Sequence, residues 1–210
     1  MEIKQIKNTP VDSNCYVVHD KTHGNECILV DPGSENNESL LEFLLSENLI
    51  PIYIILTHEH FDHCWGVNDL RNKYPNAKLV CSLECSIDIQ DIKKNYSVFY
   101  QQPGFVIAAA DINVEDCGCL ITWANRQISF YPVFGHTSAG IVFTCGNYLF
   151  TGDELIKDIR TATKLKTGSK EKLKDTVVLL ERLKGMGLIV CPGHGETFEL
   201  DSYDLNKLFS

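Results

Sequence analysis

His58, His60, Asp62 and His63 fall within the single segment Thr57-His58-Glu59-His60-Phe61-Asp62-His63, directly after the apolar run Ile52-Tyr53-Ile54-Ile55-Leu56. Imidazole and carboxylate are ligands for zinc, and equally for manganese or iron. On a turn, residues two apart can point the same way, so His58 and His60 can converge on one metal. Asp62 and His63 then open the following helix, rotated toward a neighbouring position. A single histidine on an apolar edge is most simply a satisfied core residue. Four ligand-type side chains in one short turn need something to tie them together, because burying polar groups without partners is costly.

Three later motifs carry the same residue types: Gly135-His136-Thr137, Thr151-Gly152-Asp153 and Pro192-Gly193-His194-Gly195. Each follows a strand-like run, and strand ends on one rim are where side chains distant in sequence can meet. Their glycines permit the tight turns and close backbone approach such a rim requires. Of the seven histidines, only His19 and His23 fall outside these motifs, and they read as surface residues.

The elements that must position these motifs follow from hydropathy. Strands are expected over Glu2 to Ile6, Asn14 to His19, Glu26 to Val30, Ile52 to Leu56 and Ala77 to Cys81. Further strands are expected over Ile121 to Trp123, Gln127 to Tyr131, Gly140 to Cys145, Tyr148 to Thr151 and Leu188 to Cys191. Helical spacing marks Asn37 to Asn48, Trp65 to Tyr74, Leu83 to Lys94 and Lys170 to Leu183. The aromatic stretch from Tyr96 to Leu120 has no clean period and reads equally as an active-site flap or a packed loop. Each half runs strands, helix, strand, which suggests an α+β chain with two packed sheets covered by helices. Its 210 residues suit one domain.

A net charge of −9 with no basic block lowers a nucleic-acid-binding reading. No window approaches the roughly 18 apolar residues of a membrane span. The alternating Met1 to Lys7 lacks the apolar stretch of a signal peptide, so a cytoplasmic protein acting on a small molecule is expected. The nine scattered cysteines then read as reduced thiols. Cys117-Gly118-Cys119 lacks the spacing of a zinc ribbon. Cys64 reads as a packing thiol, Phe61 and Trp65 as helix-packing residues, and Tyr96, Phe99, Tyr100 and Phe105 as cleft or core.

From Asp31-Pro32-Gly33 through His194 the sequence resembles the metallo-β-lactamase superfamily, and within it the glyoxalase-II-like hydrolases. The resemblance implies a four-layer αββα sandwich of two mixed sheets flanked by helices, in one domain spanning 1–210. It implies that His58, His60 and His136 hold one metal, that Asp62, His63 and His194 hold a second, and that Asp153 bridges the two. Asp31 would support the site without being a ligand. The implied cofactor is two Zn2+, with iron or manganese as substitutes.

Such a pair, roughly 3.5 Å apart, makes a hydroxide available at neutral pH for attack on an ester or thioester carbonyl. Asp62 or Asp153 would steer the water's proton. Arg160, preserved with Thr161 in a segment where many relatives read Gly-Arg-Thr/Asp, is a candidate anchor for a substrate carboxylate. It reads equally as a surface arginine, and so do Lys157, Lys164 and Lys166 as lysines.

The sequence lacks a His-Glu-x-x-His motif, since Asp62 stands where the second histidine would be. Flavodiiron-type members carry glutamate where this chain has His60. No counterpart is expected after His194 to the C-terminal helical region with which glyoxalase-II enzymes hold glutathione. The alternative enzyme is a mononuclear iron persulfide dioxygenase, for which His58, His136 and Asp153 would suffice. A nuclease, or a non-catalytic metal-binding domain, stands behind these. Substrate and oligomeric state are not written in the sequence.

Overall fold

The computed structural model describes residues 1–115 and 119–209. The chain forms two compact units, Met1–Asp116 and Cys117–Ser210. The first contains, in chain order, β1 (Glu2–Lys7), β2 (Asn14–His19), β3 (Glu26–Val30), α1 (Glu38–Ser46), β4 (Ile50–Ile55), α2 (Phe61–Cys64), α3 (Val67–Lys73), β5 (Lys78–Cys81), α4 (Leu83–Asp88), α5 (Ser97–Tyr100) and β6 (Ile112–Asn113). Its six strands lie in sequence order in one mixed sheet. β1, β2 and β3 pair antiparallel, and β3 through β6 pair parallel. β2 is buried along its whole length, while β1 lies at the edge. Exposed Glu2, Lys4 and Lys7 guard that edge against stray pairing.

The second unit contains β7 (Leu120–Trp123), β8 (Arg126–Pro132), β9 (Ile141–Cys145), β10 (Tyr148–Gly152), α6 (Lys172–Leu183), β11 (Ile189–Pro192) and β12 (Phe198–Glu199). These strands also form one six-stranded mixed sheet, antiparallel except where β10 meets β11. The amphipathic pattern of α6 puts Leu173, Thr176, Leu180 and Leu183 on its buried face. There the leucines join Val142, Leu149, Leu155 and Val190 in one apolar cluster.

Long elements match the expectations from hydropathy, and short ones depart from them. The helix expected over Trp65 to Tyr74 is present as Val67–Lys73, but a separate short helix comes before it. Phe61–Cys64 precedes a break at Gly66, whose N–H donates to the Pro32 carbonyl at 2.9 Å and whose carbonyl accepts from Asn37 Nδ2 at 3.1 Å. The helix expected to reach Lys94 stops at Asp88, because the chain bends to bury Ile89 and Asn95 while Asp91 and Lys93 face solvent. The two-residue strands β6 and β12 are too short to show a period. His19 is not a surface residue. It lies on β2 and is 4% exposed, its Nε2 3.9 Å from a Glu2 carboxylate oxygen. His23 is exposed, as expected.

No disulfide links the described cysteines; Cys15, Cys27, Cys64, Cys81, Cys85, Cys145 and Cys191 are buried and Cys119 is part-exposed. Cys117 and Gly118, which complete the Cys117-Gly118-Cys119 pair, lie outside the described residues. Burial pushes the Cys27 thiol up to about 12 and the Cys145 thiol up to about 11. Only the thiolate reacts, so such groups are inert. Iodoacetamide on the native protein, followed by peptide mapping, is therefore expected to label Cys119 at least about tenfold faster than any of these seven. Comparable labelling of Cys27 or Cys145 would contradict the packing described.

Candidate metal centre

The first unit brings His58, His60, Asp62 and His63 together. β4 ends at Ile55, and the chain turns through Thr57 to His60 before α2 begins. All four ligand-type residues are under a tenth exposed. The His58 Nε2 and His60 Nδ1 atoms stand 3.1 Å apart, and His63 Nε2 stands 3.7 Å from Asp62 Oδ2. Ligand atoms bound at about 2.0–2.1 Å in a tetrahedral arrangement lie about 3.3–3.4 Å from one another, so these spacings suit donors converging on a cation.

Asp31, placed by the Asp-Pro-Gly turn after β3, organises this set. It is 2% exposed and adopts φ 50. Its carboxylate accepts from the Thr57 N–H at 2.8 Å, from Thr57 Oγ1 at 2.6 Å and from His63 Nδ1 at 3.0 Å. The Thr57 hydroxyl proton is thus directed to Asp31, so the 3.0 Å contact between Thr57 Oγ1 and His58 Nδ1 has the ring N–H as its donor. Both imidazoles are thereby held as Nδ1–H tautomers, with lone pairs on Nε2. That is the form a metal ligand requires, set by its supporting hydrogen bond.

Asp31→Asn tests the arrangement, because an amide NH2 cannot accept from both Thr57 and His63. Turning the His63 tautomer over points an N–H where a lone pair is needed. Metal affinity is expected to fall about 10–100-fold, measured by chelator competition, with a stability loss of only about 1–3 kcal/mol.

A second layer of buried polar groups fixes the Asp31 turn itself. Asn8 Nδ2 donates to the Asp31 carbonyl at 3.0 Å and to Ser13 Oγ at 2.9 Å, and Ser34 Oγ donates to Asn8 Oδ1 at 3.1 Å. Ser13 Oγ in turn donates to the Asp62 carbonyl. Nothing in their types or spacing marks Asn8 and Ser13 as supports; only contact does.

The second unit brings His136, Asp153 and His194 together, at the ends of β8, β10 and β11 respectively. Asp153 Oδ2 stands 3.7 Å from His136 Nε2 and 3.5 Å from His194 Nε2. One carboxylate oxygen thus faces two imidazoles at ligand spacing. His136 Nδ1 donates to the Ala162 carbonyl at 3.0 Å, which again leaves Nε2 with the lone pair.

Glu154, beside Asp153, was not singled out by its sequence. It is 3% exposed, and its carboxylate accepts from the Gly135 N–H at 3.1 Å, the His136 N–H at 2.8 Å and Thr176 Oγ1 at 2.6 Å. Burial pushes its carboxyl above the usual carboxylate range, while the donations from Thr176, His136 and Gly135 pull it back. The signal available in sequence was a second acid directly after a ligand at a strand end.

Arg160 lines a cavity of about 350 Å³ with His136, Asp153, Ile156, Ile159 and His194. Lys157, Lys164 and Lys166 are exposed or part-exposed. Cys64 is a packing thiol as expected, its Sγ 3.4 Å from the Glu59 carbonyl. In the segment from Tyr96, Tyr100 stacks on Phe61 with centroids 4.8 Å apart and Phe105 stacks on Trp65 at 5.5 Å, while Phe99 faces solvent.

Two mixed six-stranded sheets with helices, and metal-ligand turns at the strand ends, define a protein class. The pattern of the metallo-beta-lactamase superfamily matches residues 8–194, and the chain belongs to that superfamily. The solved structure of the BLEG-1 B3 metallo-beta-lactamase superposes with a TM-score of 0.85 at 25% identity, covering 95% of this chain and 94% of that one. The fold is therefore the metallo-β-lactamase fold, of class α+β.

Among individual proteins, the chain is similar to the hydroxyacylglutathione hydrolase of Yersinia pestis (strain Pestoides F), at 30% identity over 165 residues, or 79% of this chain and 56% of that protein. The hydroxyacylglutathione hydrolase of Buchnera aphidicola subsp. Baizongia pistaciae is 27% identical over 166 residues, or 79% of this chain and 57% of that protein. The matched part is thus a little over half the length of these relatives. ETHE1 from Myxococcus xanthus shares the fold, with a TM-score of 0.73 at 20% identity over 99% of this chain and 88% of that one.

Proposed function

We propose that the two donor sets complete one dinuclear centre in a single catalytic domain, and that the protein hydrolyses a small ester or thioester. His58, His60 and His136 would hold one metal, Asp62, His63 and His194 the other, with Asp153 bridging. The observation that carries this reading is the hydrogen-bonding pattern: His58, His63 and His136 each commit Nδ1 to a contact at 3.0 Å, which leaves Nε2 for a metal. Buried histidines serving only the core need no such uniformity. Similarity to hydroxyacylglutathione hydrolases supports an ester or thioester as substrate.

Bound there, two zinc ions would supply Lewis acidity and bring the pKa of water toward neutrality. The chain's own part is to place and to move protons. Asp62 or Asp153 accepts the proton of the attacking water, each being a carboxylate held against imidazole. Arg160, in the cavity beside His136 and His194, offers a planar fork to a substrate carboxylate. The buried, unlinked thiols support work in a reducing compartment, the cytoplasm. No helix among the described residues is long and apolar enough to cross a membrane. The acidic balance supports a small-molecule substrate rather than a nucleic acid.

Metal analysis joined to a panel of esters, thioesters, lactones and β-lactams tests this. About two zinc ions per chain and thioester turnover are expected. His60→Ala is expected to lower both metal content and turnover, the latter at least about a hundredfold. One iron per chain, with oxygen uptake on glutathione persulfide, would instead identify a persulfide dioxygenase. Bound metal with no turnover across the panel would make the protein a non-catalytic metal-binding domain.

A further inference from the structure

One ligand of the first unit is held differently from the others. His58 and His63 are fixed by hydrogen bonds of 3.0 Å on Nδ1. His60 instead turns Nδ1 toward His58 and presents Nε2 to the buried Glu59 carboxylate at 3.8 Å. Its imidazole packs against the ring of Tyr96, edge to face, with centroids 4.9 Å apart and an interplanar angle of 79°.

Tyr96 is a strained residue. It adopts φ 62 and ψ 2, the left-handed region that a bulky side chain enters at a cost of about 1–3 kcal/mol. The surroundings enforce this conformation through Asn95, which is fully buried and has each of its polar groups engaged. The Asn95 N–H donates to the Asp91 carbonyl at 2.9 Å, its Nδ2 donates to the Phe105 carbonyl at 2.8 Å, and its Oδ1 accepts from the Ser97 N–H at 2.9 Å. Its own carbonyl accepts from the N–H of Phe61 at 2.8 Å. Phe61 is the residue after His60 and the first of α2, which carries Asp62 and His63. The strap from Asn95 to Phe105 is therefore fastened to the ligand turn by backbone at Phe61, by Tyr100 stacked on the Phe61 ring, and by the Tyr96 ring at His60.

We infer that Tyr96 is a positioning residue for His60, its ring forming the wall that keeps Nδ1 directed at the metal. The backbone strain at Tyr96 is retained because a relaxed conformation would swing that ring away. The inference rests on the metal centre proposed above. It makes the strap part of the metal-binding apparatus rather than a freely moving flap.

Three proteins decide the matter: the parent chain, Tyr96→Phe and Tyr96→Gly. Zinc affinity is read by chelator competition, the cobalt(II) visible spectrum reports ligand geometry, and the thermal midpoint is taken with metal stripped. Glycine accepts the left-handed conformation, so removing the ring should leave the metal-free midpoint unchanged or raised. Zinc affinity should nonetheless fall about 10–100-fold, with an altered cobalt spectrum. Tyr96→Phe keeps the wall and should bind within about twofold of the parent.

Unchanged zinc affinity in Tyr96→Gly would overturn the inference while leaving the metal centre standing. A loss of affinity accompanied by an equal loss of metal-free stability would also overturn it, showing a structural role only. A parent chain that binds no zinc or cobalt would remove the metal centre and the inference together.

Discussion

Gly33→Ala is expected to leave a protein that cannot hold metal in its first unit, although the change adds one methyl group to a residue that is not a ligand. A Cβ on Gly33 would lie 1.6 Å from the carbonyl oxygen of Asp62, 2.3 Å from its carbonyl carbon and 2.9 Å from the His63 nitrogen. Carbon atoms in ordinary contact stay about 3.5–4.0 Å apart. The obstructing atoms are backbone, so no rotamer change relieves the clash. The Asp62 carbonyl is also held from the other side by Ser13. Either the Asp31-Pro32-Gly33 turn withdraws, breaking the Asp31 contacts to Thr57 and His63, or α2 moves and carries Asp62 and His63 with it.

Glycine is needed for close approach at this position, since φ of Gly33 is not in the left-handed region. A stability loss of about 4 kcal/mol or more is expected by urea denaturation. Zinc affinity should drop at least about a hundredfold in whatever folds. A folded variant with parental zinc content would show that the two turns can separate harmlessly.

Glu154→Ala should have a comparable effect from the second unit. It strands three buried donors, the N–H groups of Gly135 and His136 and the Thr176 hydroxyl, and opens a cavity beneath the His136 turn. Each buried donor left unsatisfied costs about 1–3 kcal/mol. Water entering the cavity recovers part of that, so a net loss of about 3–5 kcal/mol is expected. Zinc stoichiometry should fall as well, because the backbone of His136 loses its anchor. Glu154→Gln retains one acceptor oxygen and should lose roughly half as much. If Glu154→Ala instead unfolds at the parental urea midpoint, the carboxylate is not what holds that turn.

Both changes fall on residues that sequence alone did not mark as critical. The seven ligand-type residues were legible because metal binding demands particular atoms, and His58, His60, Asp62, His63, His136, Asp153 and His194 advertise those atoms in turns after apolar runs. The strands were legible for a related reason. A buried strand such as Asn14–His19 needs a run of apolar residues, and the amphipathic α6 needs a stripe of them. Where an element is only two residues long, as in β6 and β12, no pattern exists to read. Where a helix is broken by a neighbour, as at Gly66 against Pro32 and Asn37, the cause lies about thirty residues away in sequence.

The amino-acid sequence by itself therefore set which side chains offer metal-binding atoms, in which turns they lie, and the class of fold. Tertiary structure decided how those atoms are presented. It set the tautomers of His58 and His63 through Asp31, the hold on His136 through Glu154, and the contact between Tyr96 and His60. It also placed His19 in the interior, where a lone histidine after an apolar run had read as surface. The physical reason is one of range. Ligand identity is a property of a side chain, whereas orientation, burial and protonation are properties of its neighbours, and those neighbours arrive from distant parts of the chain.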